Sequence, residues 1–136
     1  MVREAVHLSL EEVKLLCRRA EGFLRNAEHL ISVGEWDLAT FSLEQYCQLA
    51  LKCKLLLKTG SYPRTRSLRR LVRELGRIAP ELLTLVEDEV NLHYVARLEE
   101  AYVAARYMPY SYEEKEVKSL YRFVVEKFKP LVEKVV

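Results

Sequence analysis

Apolar residues in this chain return at steps of three and four, and only a few glycines and prolines interrupt them; that periodicity is the strongest limit on its fold. Val13, Leu16, Ala20, Phe23/Leu24, Ala27 and Leu30/Ile31 form one such stripe. Ahead of it, Ser9-Leu10-Glu11-Glu12 has the form of a capping box, with Ser9 as N-cap and Glu12 reaching back, and Gly34 is the natural stop. A second helix is predicted from about Trp36 to Lys58, ending at Gly60. Leu38, Phe41, Leu43, Tyr46, Leu49, Ala50, Cys53, Leu56 and Leu57 surround much of its circumference, as befits a central, buried helix. A small bundle leaves most helices one solvent face, so an excess of apolar surface here is expected to meet a second copy of the chain, with Trp36, Tyr46 and Tyr102 as candidates for the seam.

Past the loop Gly60-Ser61-Tyr62-Pro63, a shorter helix is predicted from about Arg66 to Gly76, with Leu68, Leu71, Val72 and Leu75 as its apolar stripe. Pro80 suits the first position of the next helix. The stretch to about Tyr107 reads as a short helix running into a longer one near Glu87–Asn91, broken at Met108-Pro109. Ser111-Tyr112-Glu113-Glu114 resembles a second capping box and opens a last helix towards Pro130. The connections are short, so the expected fold is all-α: an up-and-down bundle of four or five helices forming a single domain over residues 1–136.

Composition narrows the class further. The 136 residues are 50% hydrophobic with a net charge of only +2, which argues against disorder, and four glycines and four prolines are few for a sheet protein. The longest uncharged runs, Gln45–Leu51 and Val90–Ala96, are seven residues each, whereas a membrane span needs about 20. No apolar run of signal-peptide length stands at Met1–Leu10, so the expectation is an intracellular, cytoplasmic protein. Cys17, Cys47 and Cys53 form no C-x-x-C pair and read as small buried thiols; His7, His29 and His93 are isolated, so neither a metal site nor a cofactor is expected. Two Asn and two Gln against 31% charged residues is a balance common in proteins from hot environments.

No G-x-S-x-G, phosphate-cradling glycine loop or H-E-x-x-H occurs, and the acidic pairs Glu11/Glu12, Glu99/Glu100 and Glu113/Glu114 fall on polar helix faces or in first turns. No catalytic residue is therefore assigned. Charge is distributed more tellingly. Arg64–Arg77 carries six arginines and one glutamate, and Arg66, Arg70, Arg73 and Arg77 share one helical stripe that can hold phosphates. Glu81–Glu100 carries six acids and one arginine, so the two segments either face each other or face water. In Ala105–Tyr112, Arg106 gathers with Tyr107, Tyr110 and Tyr112 where one helix ends and another begins; rings stack on bases and guanidinium pairs with phosphate. The structural alternative is aromatic packing, with Arg106 bonding to carbonyls at the helix terminus.

Several of these stretches resemble the HEPN family (higher eukaryotes and prokaryotes nucleotide-binding). They are Ala20-x-x-Phe23-Leu24-x-x-Ala27, then Trp36-Asp37-Leu38-Ala39-x-Phe41-x-x-Glu44-Gln45-x-x-x-Leu49-Ala50-Leu51-Lys52. Thr65-Arg66-Ser67-Leu68 is similar to the family's T-H-S-L, and Arg106-Tyr107-x-Pro109 to its R-Y-P. The resemblance implies a bundle that usually dimerises and often accompanies a minimal nucleotidyltransferase, for which it supplies the substrate-binding half. It also implies a second branch of ribonucleases and toxins built on R-x(4–6)-H. At the histidine's register after Arg106 stand Ser111, Tyr112 and Glu113, and Arg66 replaces the histidine of T-H-S-L.

The function expected is a non-catalytic HEPN-like module that binds a nucleotide or RNA, or partners a minimal nucleotidyltransferase. Arg106, Tyr107 and Tyr110 would contact the ligand, with Lys52, Arg66, Arg70 and Arg73 as auxiliary positive charge. The alternative is a metal-independent ribonuclease or toxin that sets Tyr110 or Tyr112 in the histidine's place, although tyrosine, with a pKa of about 10, is a poor base near neutrality. A third reading is an antitoxin-like structural partner whose basic stripe meets an acidic protein surface.

Overall fold

The structure, a computed structural model, describes residues 9–136 and the backbone of residues 5 and 6. Its helices are α1 (Leu10–Ser32), α2 (Trp36–Thr59), α3 (Leu68–Gly76), α4 (Thr84–Glu87), α5 (Glu89–Tyr107), α6 (Glu114–Phe123) and α7 (Lys129–Glu133). Two short strands, β1 (Ala5–Val6) and β2 (Tyr62–Pro63), pair antiparallel. The all-α bundle expected from periodicity is present. Among the described residues no helix is long and apolar enough to cross a membrane.

The capping box at Ser9 forms as expected: the Glu12 amide donates to Ser9 Oγ and the Ser9 amide to Glu12 Oε1, both at 3.3 Å. Gly34 takes a positive φ of 77°, which only glycine adopts cheaply, and this reverses the chain so that α2 folds back along α1. Asn26 Nδ2 donates to Ser42 Oγ across the pair at 3.0 Å. Cys17 and Cys53 join the same two helices by a disulfide, with Cα atoms 5.2 Å apart, and only Cys47 remains a buried thiol. This corrects the expectation of free cysteines throughout.

α2 is the central helix, covered by α1, α3, α5, α6 and α7. Among its large apolar side chains only Leu38 and Leu57, near its ends, are exposed. The excess apolar surface that suggested a second subunit is thus covered within the chain. Tyr46 is corrected as a seam residue for this reason: it is 4% exposed and meets Phe128 edge-on at 6.0 Å.

The second capping box does not form. Tyr112 is drawn into a small core with Ala39, Ala101, Ala104 and Val117, and its amide donates to Asp37 Oδ1 at 2.7 Å. α6 therefore starts after Glu113, without a side-chain cap. The last helix also runs past Pro130, because one π turn (Val124–Phe128) widens the hydrogen-bond ladder just before the proline, which has no N–H to offer.

Removing the disulfide by reductant, or by Cys17→Ser with Cys53→Ser, releases a crosslink between cysteines 36 residues apart. A loop of that length is worth about 4 kcal/mol, to be read from denaturant midpoints. Equal midpoints with and without reductant would contradict the pairing.

Candidate functional site

The site begins with a polar row on the buried central helix. Glu44, Gln48 and Lys52 stand one turn apart on α2, at the edge facing the α2–α3 loop. Gln48 Nε2 donates to the Arg66 carbonyl and draws that loop onto α2. From the other side, Glu99 of α5 holds the start of α3: its carboxylate accepts from Ser67 Oγ at 3.2 Å, from the Arg69 amide at 3.3 Å and from the Arg69 guanidinium at 2.8 Å. These contacts pull the Glu99 carboxyl below the usual carboxylate range, although burial opposes them. The segment Thr65–Leu68 is thereby clamped between α2 and α5.

The clamp builds a basic cleft of about 330 Å3 lined by Lys52, Tyr62, Arg64, Thr65 and Arg66. Lys52 Nζ lies 5.1 Å from the Tyr62 ring centroid. Burial, with Arg66 nearby, holds Lys52 below the usual lysine range against the pull of Glu44. Among the described residues, no carboxylate lies within 4.0 Å of Lys52, Arg64, Arg66 or Arg106.

Arg66 also belongs to a second cluster. Its guanidinium carbon is 3.9 Å from the Tyr102 ring centroid, and that of Arg106 is 4.3 Å from the same ring. Arg106 further lies 5.0 Å from Phe41 and 4.8 Å from Tyr107. Its Nε and Nη2 donate to the Tyr102 carbonyl at 2.8 and 2.6 Å, the helix-terminal role weighed from sequence. Three of its five N–H groups are left for a ligand.

Of the residues expected from sequence, the structure thus brings together Lys52, Arg66, Arg106 and Tyr107, with Tyr102 beneath two guanidinium groups rather than at a bare surface. Arg70 and Arg73 stand exposed on α3, without a carboxylate partner among the described residues. Arg69 pairs with Glu99 and Arg77 with Glu74, so the basic and acidic segments meet at one ion pair. Tyr110, 48% exposed, lies apart with Val103 and Met108. Trp36 is half-buried against the small core around Tyr112.

Tyr112 is corrected as a stand-in for histidine. It is 2% exposed, and burial pushes its hydroxyl up to about 12, so it can neither reach nor deprotonate a surface ligand. His29 closes α1 and His93 lies beside Tyr94, some nine residues along α5 from Tyr102, or about 13 Å. His7 lies outside the described residues. Among the described residues, no three His, Cys, Asp or Glu side chains gather to hold a metal ion.

Sequence reasoning missed Glu44 as a titrating group, and missed Gln48, Tyr62, Arg64 and Glu99 as well. A signal existed for Gln48: it is one of two glutamines, set in an apolar stretch a turn from both Glu44 and Lys52. Glu44 Oε1 accepts from Gln45 Nε2 at 2.7 Å, while Glu44 Oε2 and Gln48 Oε1 are buried acceptors without a donor. Burial raises the Glu44 carboxyl to about 7, against the contacts of Gln45 and Gln48 and the charges of Lys52 and Arg66, all of which pull it down.

A model of the HEPN domain family matches residues 13–135, nearly the whole chain. No curated protein matches it.

Because the proton is kept on folding, stability should fall as pH rises from about 4.5 to about 7, where only the unfolded chain has lost it. The loss from this group is about 3 kcal/mol. Glu44→Gln keeps the neutral shape and cannot ionise. It is expected to match the parent at pH 4.5 and exceed it at pH 8 in denaturant midpoint. Parallel pH curves for the two proteins would contradict the assignment.

Proposed function

Because the chain belongs to the HEPN domain family, we propose that it is a non-catalytic module that binds RNA or a nucleotide. The observation that carries this reading is the position of Arg66, which lines the basic cleft and lies on Tyr102 beside Arg106. Phosphate-binding charge and ring surface are thus continuous on one face. Lys52, Arg64, Arg66 and Arg106 supply cations for the backbone, and Tyr107, 71% exposed, supplies a ring on which a base can stack. Arg70 and Arg73 extend the positive charge along α3. Cleavage has less support, since His93 lies about 13 Å along α5 from Tyr102 and Tyr112 is buried.

A protein partner has its own place. Val103, Met108 and Tyr110 form an apolar edge, 46–50% exposed, next to the basic face. HEPN domains often form dimers, and we assign this edge to a second copy of the chain or to a minimal nucleotidyltransferase.

Two measurements follow. In anisotropy titrations with single-stranded RNA, Lys52→Ala with Arg66→Ala should weaken binding at least tenfold and flatten the salt dependence by about two ions. An unchanged affinity would remove the cleft from the function. Arg106→Ala should weaken binding severalfold while costing about 1 kcal/mol or less in stability, because the side chain is exposed and its two bonds serve one helix end. A large stability loss would make Arg106 structural.

A further inference from the structure

We propose that the cleft between α2 and the α2–α3 loop takes a terminal phosphate monoester, so that the protein recognises the end of an RNA strand or a mononucleotide rather than an internal segment. This rests on the RNA or nucleotide reading above and names the group that the cleft selects.

The first ground is charge. Lys52, Arg64 and Arg66 line one cleft, and none has a carboxylate within 4.0 Å among the described residues. The carboxyl beneath them is Glu44, buried and bonded to Gln45, and held towards its neutral form. Positive charge is therefore concentrated there with no ion-paired carboxylate within 4.0 Å among the described residues, above a carboxyl whose ionisation burial disfavours. An internal phosphodiester offers one negative charge, whereas a terminal monoester approaches two near neutral pH.

The second ground is the number and placement of donors. A phosphodiester presents two non-bridging oxygens and a terminal monoester three. Arg64 and Arg66 stand two apart in the chain just before the extended N-cap Ser67, and both line the cleft. Between them, Thr65 Oγ1 accepts from the Ser67 amide at 3.1 Å, which leaves its own hydroxyl proton to donate. Tyr62 is fixed on the opposite wall because its strand pairs with β1 and packs on α2, and its ring carries the Lys52 ammonium. One ammonium, two guanidinium groups and the Thr65 hydroxyl are enough to satisfy three oxygens at once.

The third ground is continuity. Arg66 reaches from the cleft to Tyr102 and the Arg106 cluster. A nucleotide whose terminal phosphate sits in the cleft extends its sugar and base towards the rings.

The test compares one short single-stranded RNA in forms bearing a 5′-phosphate, a 3′-phosphate or hydroxyls at both ends. A hydroxyl-ended strand about two nucleotides longer matches the total charge. One of the phosphorylated forms should bind about tenfold tighter than both hydroxyl-ended strands. That preference should vanish in Arg64→Ala, an exposed position whose loss leaves the core untouched, and in Lys52→Ala, while Arg106→Ala weakens all four strands alike. Adenosine monophosphate should compete and adenosine should not. Equal binding of all four strands overturns the terminal-phosphate assignment and leaves the RNA reading standing. Failure of every strand, and of adenosine monophosphate titrated alone, to bind overturns both.

Discussion

The bond from Gln48 to the Arg66 carbonyl links the protein's core to its basic surface. A buried amide on a central helix must find a partner, because an unsatisfied polar group there costs about as much as a core cavity. Gln48 finds it in the backbone of a loop rather than in another side chain. The loop is then fixed to α2 at one point and, through Ser67, Arg69 and Glu99, to α5 at another. Everything that makes the face basic is carried between these two anchors or beside them. The same helix row that stabilises the loop also places Lys52 in the cleft and Glu44 below it.

Glu44 gives this arrangement its chemical character. A fully ionised carboxylate so close to Lys52 and Arg66 would neutralise part of the cleft. Burial raises its pKa to about 7 against the pull of Gln45, Gln48, Lys52 and Arg66, so that its ionisation is disfavoured. The cations above are left to external anions. Arg106 is restrained in a different way: stacked on Phe41, Tyr102 and Tyr107 and bonded to its own helix end, it is preorganised but not saturated. Such a face is suited to holding phosphates and rings in place.

Much of the scaffold was legible because helix signals are local. The Ser9 box, the stops at Gly34 and Gly60, the junction at Asp88 and the break at Met108 each rest on residues within one turn of each other. The Ser111 box failed because Tyr112 is held elsewhere, its ring in the small core and its amide on the distant Asp37, and no local pattern announces that contact. The disulfide escaped because its partners are mid-helix and far apart in sequence. Once α1 and α2 are folded back on each other, though, Cys17 and Cys53 lie equidistant from the turn. Tyr46 misled because an aromatic on a uniformly apolar helix looks the same whether a subunit or Phe128 covers it. For the site, residue types pointed to Lys52, Arg66 and Arg106, but which arginines would be paired depended on Glu99 reaching across from α5.

The central claim is that the α2–α3 loop and the end of α5 form one binding face. Backbone amide chemical-shift mapping by NMR, with a short single-stranded RNA added stepwise, tests it directly. The account predicts that the largest shifts fall on Gln48, Lys52, Thr65, Arg66, Tyr102 and Tyr107, residues that neighbour one another only in the folded chain. Shifts confined to Arg70 and Arg73, or to the Val103–Tyr110 edge, would contradict it.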